Sequence, residues 1–131
     1  IRSKQIIKKR QKNAAYLTKK LAPLGKEDFY MQLPTVSRGV EHAWMFYPIM
    51  VSEHVRDDLA LYLEENGVQT RMIMPLTNQP VYKDWMREKD YPIAKQVNEC
   101  GLLLGCHHFL EKKHLDYMVN LISTFNHALP R

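Results

Sequence analysis

The side chains best suited to recognising a ligand fall in one stretch, "RMIMPLTNQPVYKDW", positions 71–85. Thr77, Asn78 and Gln79 offer hydroxyl and amide donors and acceptors at consecutive positions. Tyr82 and Trp85 follow and can stack on a ring. Pro75 and Pro80 restrict the backbone at both ends, so the segment reads as a stiff loop. Stiffness lowers the entropic cost of holding those side chains ready for a ligand. Composition alone favours the plainer reading, a stable surface loop that plugs its own domain.

Other groupings are less specific. "GCHHFLEKKH" gathers Cys106, His107, His108 and His114. The paired Cys-x-x-Cys of a structural zinc site is missing. Adjacent histidines on a strand would point to opposite faces, so a strand-to-helix junction is expected here and no metal. Asp57, Asp58, Glu64 and Glu65 read as the solvated face of a helix. Met45, Met50, Met72 and Met74 read as strand residues that fill a core. No Gly-rich phosphate loop, Ser nucleophile elbow or EF-hand pattern is present.

These residues need a scaffold, and the chain is long enough for one domain: 131 residues, 45% hydrophobic and 25% charged. No apolar run approaches the ~20 residues of a membrane-spanning helix, and no signal-peptide pattern opens the chain. Cys100 and Cys106 are expected to be free thiols in a cytoplasmic protein. The net charge of +5 is uneven: residues 1–26 hold nine of the 19 basic residues and no acid. The other 105 positions hold ten basic and 14 acidic residues, a balance of −4. Basicity therefore belongs to one segment.

That segment, residues 3–22, reads as an amphipathic helix with Ile6, Ile7, Ala14, Leu17 and Leu21 on one side, stopped by Pro23 and Gly25. Residues 43–51 read as a strand in which Pro48 marks an edge or bulge. Ser52 is a candidate cap for a second helix, with Leu59, Tyr62 and Leu63 inward and Asn66-Gly67 at its end. A strand over 68–74 precedes the loop. A short helix starts at Asp90-Tyr91-Pro92 and ends at Gly101, a buried strand covers 102–105, and a last helix runs over 111–125 with Leu115, Met118, Ile122 and Phe125 inward. The expected fold class is α+β: a small antiparallel sheet of about three strands covered by helices.

The series Arg56-Asp57, Asn66-Gly67-Val68, Thr70-Arg71 and Gln79-Pro80-Val81-Tyr82 resembles the C-terminal part of the DegT/DnrJ/EryC1/StrS family of pyridoxal-phosphate-dependent sugar aminotransferases. "IIKKRQKNAAYLTKKL" resembles the helix that follows the family's large domain, and "HAWMFYPIMV" its first small-domain strand. The resemblance implies one small domain over 1–131: a linker helix over 1–25 from a large domain outside this chain, then an α+β body over 26–131. That would account for a chain that begins at Ile1 rather than Met.

The implied chemistry is amino transfer to a keto group of a nucleotide-linked sugar, in surface polysaccharide, lipopolysaccharide or related sugar biosynthesis. The Schiff-base lysine and the PLP would lie in the large domain, leaving this chain inactive and without cofactor when alone. Implied partners are the nucleotide sugar, the amino donor, the large domain and a second subunit in a homodimer; neither nucleic acid nor a membrane span is expected. Implied substrate contacts are Thr77, Asn78, Gln79 and Tyr82, with Arg71 holding the strand end or meeting a phosphate. Where this chain has Thr77 the family often has His, so an imidazole acid or base is replaced by a neutral hydroxyl. The alternatives are a PLP/PMP-dependent sugar dehydratase of the same family, or a basic nucleic-acid-binding module built on helix 3–22.

Overall fold

The computed structural model describes residues 2–25 and 30–128. Among the described residues, four α-helices and four strands follow in the order α1 (Arg2–Leu21), β1 (Met31–Gln32), β2 (Phe46–Val51), α2 (Glu53–Glu65), β3 (Thr70–Met72), α3 (Pro92–Cys100), β4 (Gly101–Gly105) and α4 (Lys112–Ala128). The strands form one antiparallel sheet in the order β1-β2-β4-β3. The fold class is α+β, as the sequence implies, with one more strand than expected.

Period-two alternation creates the core. In β2, Tyr47, Ile49 and Val51 are buried while Phe46, Pro48 and Met50 are half-buried. Register sets Tyr47 opposite Leu104 and Ile49 opposite Leu102, so the buried residues of both strands share a face. Over that face pack Ala14, Leu17 and Leu21 from α1, Leu59 and Leu63 from α2, and Leu115, Met118 and Ile122 from α4. Each fully buried Leu or Ile stabilises the fold by roughly 1.5–3 kcal/mol. The other face of the sheet presents Phe46, Pro48, Met50 and Leu103, all half-buried. β1 pairs only with Met50 and Val51, so Pro48 lies where the outer side of β2 has no strand partner among the described residues.

Polar groups fix the helices on the sheet. Asn13, the one buried polar side chain among the described residues, donates through Nδ2 to the His107 carbonyl at 2.9 Å. Thr18 and Tyr47 share a hydroxyl–hydroxyl bond of 2.7 Å between α1 and β2. The Tyr16 hydroxyl donates to Asp116, which also pairs with Lys112 at 2.8 Å, linking α1 to α4. Ahead of β2, Trp44 holds a φ of +50°, rare for a bulky residue. Its N–H donates to His42 Nδ1 at 3.0 Å and its ring stacks on Tyr47 at 5.7 Å, which secures that backbone.

Two expectations need correction. The Ser52 side chain makes no cap bond; its carbonyl instead accepts the N–H groups of Val55 and Arg56 at 2.9 and 3.1 Å. The methionines do not fill the core as a group. Met45, Met72 and Met74 are 65%, 44% and 68% exposed and Met50 is half-buried, while Met118 alone stands in the core. Met45 precedes β2, Met74 follows β3, and β3 is an edge strand, so the covering helices do not reach them.

The end of α2 follows its sequence. Gly67 N–H donates to the Glu64 carbonyl at 3.0 Å and Val68 N–H to the Leu63 carbonyl at 2.8 Å, with Gly67 at φ +78°. This is a Schellman motif, and Val68 packs against the core as the motif requires. Gly101 serves a different need: a Cβ there would stand 2.4 Å from the Val97 carbonyl oxygen and 2.7 Å from Ile73 Cδ1. Gly67→Ala is therefore expected to cost about 1 kcal/mol through the backbone alone, since nothing lies within 4 Å of its Cβ position. Gly101→Ala should cost more, by forcing α3 and Ile73 apart. Urea unfolding of both variants checks the order, and equal stabilities would contradict it.

Candidate functional site

The loop after β3 is a series of tight turns. Short 3-10 helices cover Leu76–Asn78, Pro80–Tyr82 and Glu88–Asp90. Asn78 and Gln79 N–H groups donate to the Pro75 and Leu76 carbonyls at 3.2 and 3.0 Å; Tyr82 N–H donates to Gln79 at 3.0 Å. Trp85 and Met86 N–H groups both donate to the Tyr82 carbonyl at 2.9 and 2.8 Å. Each proline is followed by a turn, which explains how a segment without regular strand or long helix satisfies its backbone groups. Arg87 Nε pairs with Asp90 at 2.9 Å across the last of these turns.

Thr77, Gln79 and Tyr82 are half-buried, while Asn78 is exposed. Thr77 Oγ1 donates to Asn78 Oδ1 at 3.1 Å, so the two Asn78 N–H donors remain for a ligand. From Pro75 to Val81 no side chain titrates. This stretch can accept and donate hydrogen bonds to hydroxyls, but it cannot carry a proton in acid–base chemistry. Between these polar groups, Leu76, Val81 and Trp85 are 58%, 74% and 81% exposed. Trp85 meets Tyr82 edge-on at 6.5 Å.

Arg71 belongs elsewhere. Its guanidinium lies 5.6 Å from the Phe46 ring centroid, on the wall of a groove of about 1130 Å³ that none of Thr77, Asn78, Gln79 or Tyr82 lines. The four loop residues follow one another along these turns, and Arg71 lines a groove that none of them lines. Sequence reasoning missed this groove, because Phe46, Arg71, His107, Phe109 and His114 come from distant segments with no local spacing to unite them. Arg56, the start of the recognised motif, donates through Nη1 to the Asn98 carbonyl at 3.0 Å and so docks α3 on α2.

The Cys/His segment is the expected junction between β4 and α4, but its histidines follow the strand rather than alternate along it. His114 Nδ1 accepts the Glu111 N–H at 3.0 Å and caps α4. Among the described residues no three His, Cys, Asp or Glu side chains stand close enough to hold a metal ion. The residues present do not fit a PLP anchor. Every described lysine is exposed except the half-buried Lys9, and none is buried enough to be the activated amine such chemistry requires. No helix among the described residues is long and apolar enough to cross a membrane.

The profile of the DegT/DnrJ/EryC1/StrS aminotransferase family matches residues 2–123. Among solved structures, the chain is similar to the aminotransferase TlmJ from Streptoalloteichus hindustanus, with 22% identity and a TM-score of 0.83, over 98% of this chain and 34% of that one. It is similar to DesV from S. venezuelae, solved in complex with a ketimine intermediate: 19% identity, TM-score 0.85, 97% of this chain and 33% of the other. A putative sugar aminotransferase from Streptococcus pneumoniae in its PLP form gives 20% identity and a TM-score of 0.78, over 94% and 32%. The chain thus spans about a third of the length of these structures. Comparison with curated proteins found no match.

Both cysteines are free, Cys106 buried and Cys100 half-buried. Burial pushes the Cys106 thiol up to about 11, only partly offset by the nearby Arg10 charge. Its folded value lies above the unfolded one, so its contribution to stability is intact below about pH 8.5 and is lost as the pH rises toward 11. At about pH 8, Cys106 is expected to alkylate on the order of 100-fold more slowly than a free thiol. Mass-resolved labelling with iodoacetamide checks this; labelling at the free-thiol rate would contradict it.

Proposed function

Because the chain belongs to the DegT/DnrJ/EryC1/StrS aminotransferase family, we propose that it is the C-terminal part of a PLP-dependent nucleotide-sugar aminotransferase in which the loop over residues 75–82 covers and shapes the sugar site. The family match over residues 2–123 supports the enzyme class. The observation that carries the loop's role is its set of pre-formed turns bearing only uncharged donors and acceptors. Such groups suit a neutral, hydroxyl-rich ring, which offers many hydrogen bonds and no charge.

The reaction divides between two parts of the enzyme. PLP, held by a lysine on the large domain, supplies the electron-accepting ring for amino transfer. The residues of this chain bind and orient. Thr77 fixes the Asn78 amide, Asn78 and Gln79 bond sugar hydroxyls, and Tyr82 packs against the ring. Arg71, which lines a groove that the loop residues do not, holds the end of β3 or meets a phosphate of the same substrate.

The exposed Met72, Met74, Leu76, Val81 and Trp85 fall within one stretch of chain and support a covered surface here. The large domain and the second subunit of a cytoplasmic homodimer are the partners that would cover them. A role in surface polysaccharide, lipopolysaccharide or related sugar biosynthesis belongs to the same proposal.

In the full-length enzyme, Asn78→Ala and Gln79→Ala are each expected to raise KM for the nucleotide sugar roughly tenfold, one hydrogen bond lost to a hydroxyl. The change in kcat should be smaller, since neither residue moves a proton. Steady-state kinetics with both variants would refute the loop's role if KM stayed at the wild-type value. The chain by itself, mixed with PLP, should show no absorbance band beyond that of free cofactor; a new band that survives dialysis would refute the division of labour.

A further inference from the structure

The outward side of α1 carries a row of cations. Lys4, Lys8, Lys12 and Lys19 are all exposed. Steps of four, four and seven residues keep them on one side of the helix, along about 22 Å of its axis. Like charges at such spacing oppose helix formation, and no acid falls between them. The other three helices treat their cations differently. Every lysine and arginine in them is paired: Arg56 with Asp57, Lys95 with Glu99, Lys112 with Asp116 and Lys113 with Glu111. Among the described residues no ion pair includes a residue of α1.

The acids are held away from that row. Glu53, Asp57, Asp58, Glu64 and Glu65 are exposed on α2. Both α1 and α2 pack on α4, α2 toward the edge strand β3 and α1 over β2, so the two signs of charge lie on opposite sides of the helix layer. Such a charge dipole turns α1 toward an anionic surface. Beside the first turns of α1 stands Phe109, 74% exposed, its ring tilted against His108 at 4.0 Å. With Ile6, Lys9 and His108 it borders a shallow depression of about 260 Å³. Lysines for anionic headgroups and an aromatic ring for the apolar boundary are what a peripheral membrane surface combines.

We infer that the outward face of α1, with Phe109 at its flank, docks reversibly on an anionic lipid bilayer. Lys4, Lys8, Lys12 and Lys19 meet the headgroups as point charges. Phe109 enters the headgroup region. The apolar side of α1 stays in the core with Ala14, Leu17 and Leu21, so the helix lies on the bilayer without entering it. One row of lysines along one helix suits a plane. It suits a nucleic-acid strand less, because between Lys4 and Lys19 no exposed arginine or aromatic offers a fork or a stacking platform. Neither the loop over 75–82 nor Arg71 takes part, so the inference stands whether or not those groups meet a substrate.

The test is co-sedimentation of the full-length protein with two kinds of vesicle, pure phosphatidylcholine and an equal mixture of phosphatidylcholine and phosphatidylglycerol. Binding is expected to the mixed vesicles alone and should fall steeply as salt is raised. Each lysine near the surface contributes about fivefold in affinity, so the combined Lys4→Gln, Lys8→Gln, Lys12→Gln, Lys19→Gln variant should bind on the order of 100-fold more weakly. Phe109→Ala should also weaken binding, with the salt dependence unchanged. Asp58→Asn with Glu65→Gln raises the net charge without touching α1 and should leave binding as it was. All these side chains are exposed, so unchanged thermal midpoints will show that the variants fold. Amine labelling gives a second reading: Lys8 and Lys12 should label readily in the free protein and be protected by mixed vesicles. No binding to the mixed vesicles, equal binding to both kinds, or wild-type affinity in the fourfold variant would overturn the inference. So would slow labelling of Lys8 and Lys12 in the free protein, since it would give the face to the rest of the polypeptide. An oligonucleotide that binds more tightly than the vesicles and competes with them would overturn it in favour of a nucleic acid.

Discussion

Everything in this molecule depends on a sheet that is buried on one face. Tyr47 and Leu104, Ile49 and Leu102 stand opposite one another in β2 and β4, and their shared face receives α1, α2 and α4. A shift of register by one residue would turn this set outward and bring Phe46, Pro48 and Leu103 inward. The part-buried bonds of Asn13 to the His107 carbonyl and of Thr18 to Tyr47 are the polar complement of that packing. They tie the basic helix to β2 and to the turn that follows β4, while the lysines of α1 stay on its solvated side.

A one-sided sheet leaves its edges and second face to be used. The edge strand β3 leads into the turn-rich loop, and the open face carries Phe46 beneath Arg71. The same strand therefore feeds two different surfaces. One is uncharged, proline-stiffened and flanked by exposed apolar side chains. The other is a groove with aromatic walls and an excess of cationic donors. Neither holds a buried lysine or a cluster of metal ligands among the described residues.

Much of the scaffold was legible in the sequence because the signals were local. The spacing of Leu17 and Leu21, the alternation through Tyr47, Ile49 and Val51, and Asn66-Gly67 at the end of α2 each act within a few residues. β1 was not legible: two residues have no periodicity, and Met31 and Gln32 become a strand only by meeting Val51 and Met50. The methionines misled for the same reason, since exposure at an edge is decided by what packs there and not by residue type. Ser52 has the right identity for a cap, yet its carbonyl does the work. The loop residues could be named because they are consecutive. The grouping of Arg71 with Phe46, Phe109 and two histidines could not, because it is made by tertiary contact alone.

The central claim is that residues 75–82 form a ready-made flap that meets a neutral polyhydroxyl ligand inside a larger enzyme. Hydrogen–deuterium exchange of the full-length protein, with and without its nucleotide sugar, addresses it most directly. The account predicts slowed exchange of the amides from Leu76 to Tyr82 when the sugar is bound, while the amides of β2 and β4 stay unchanged. Unaltered exchange across that loop, in a protein shown to have bound its substrate, would contradict it.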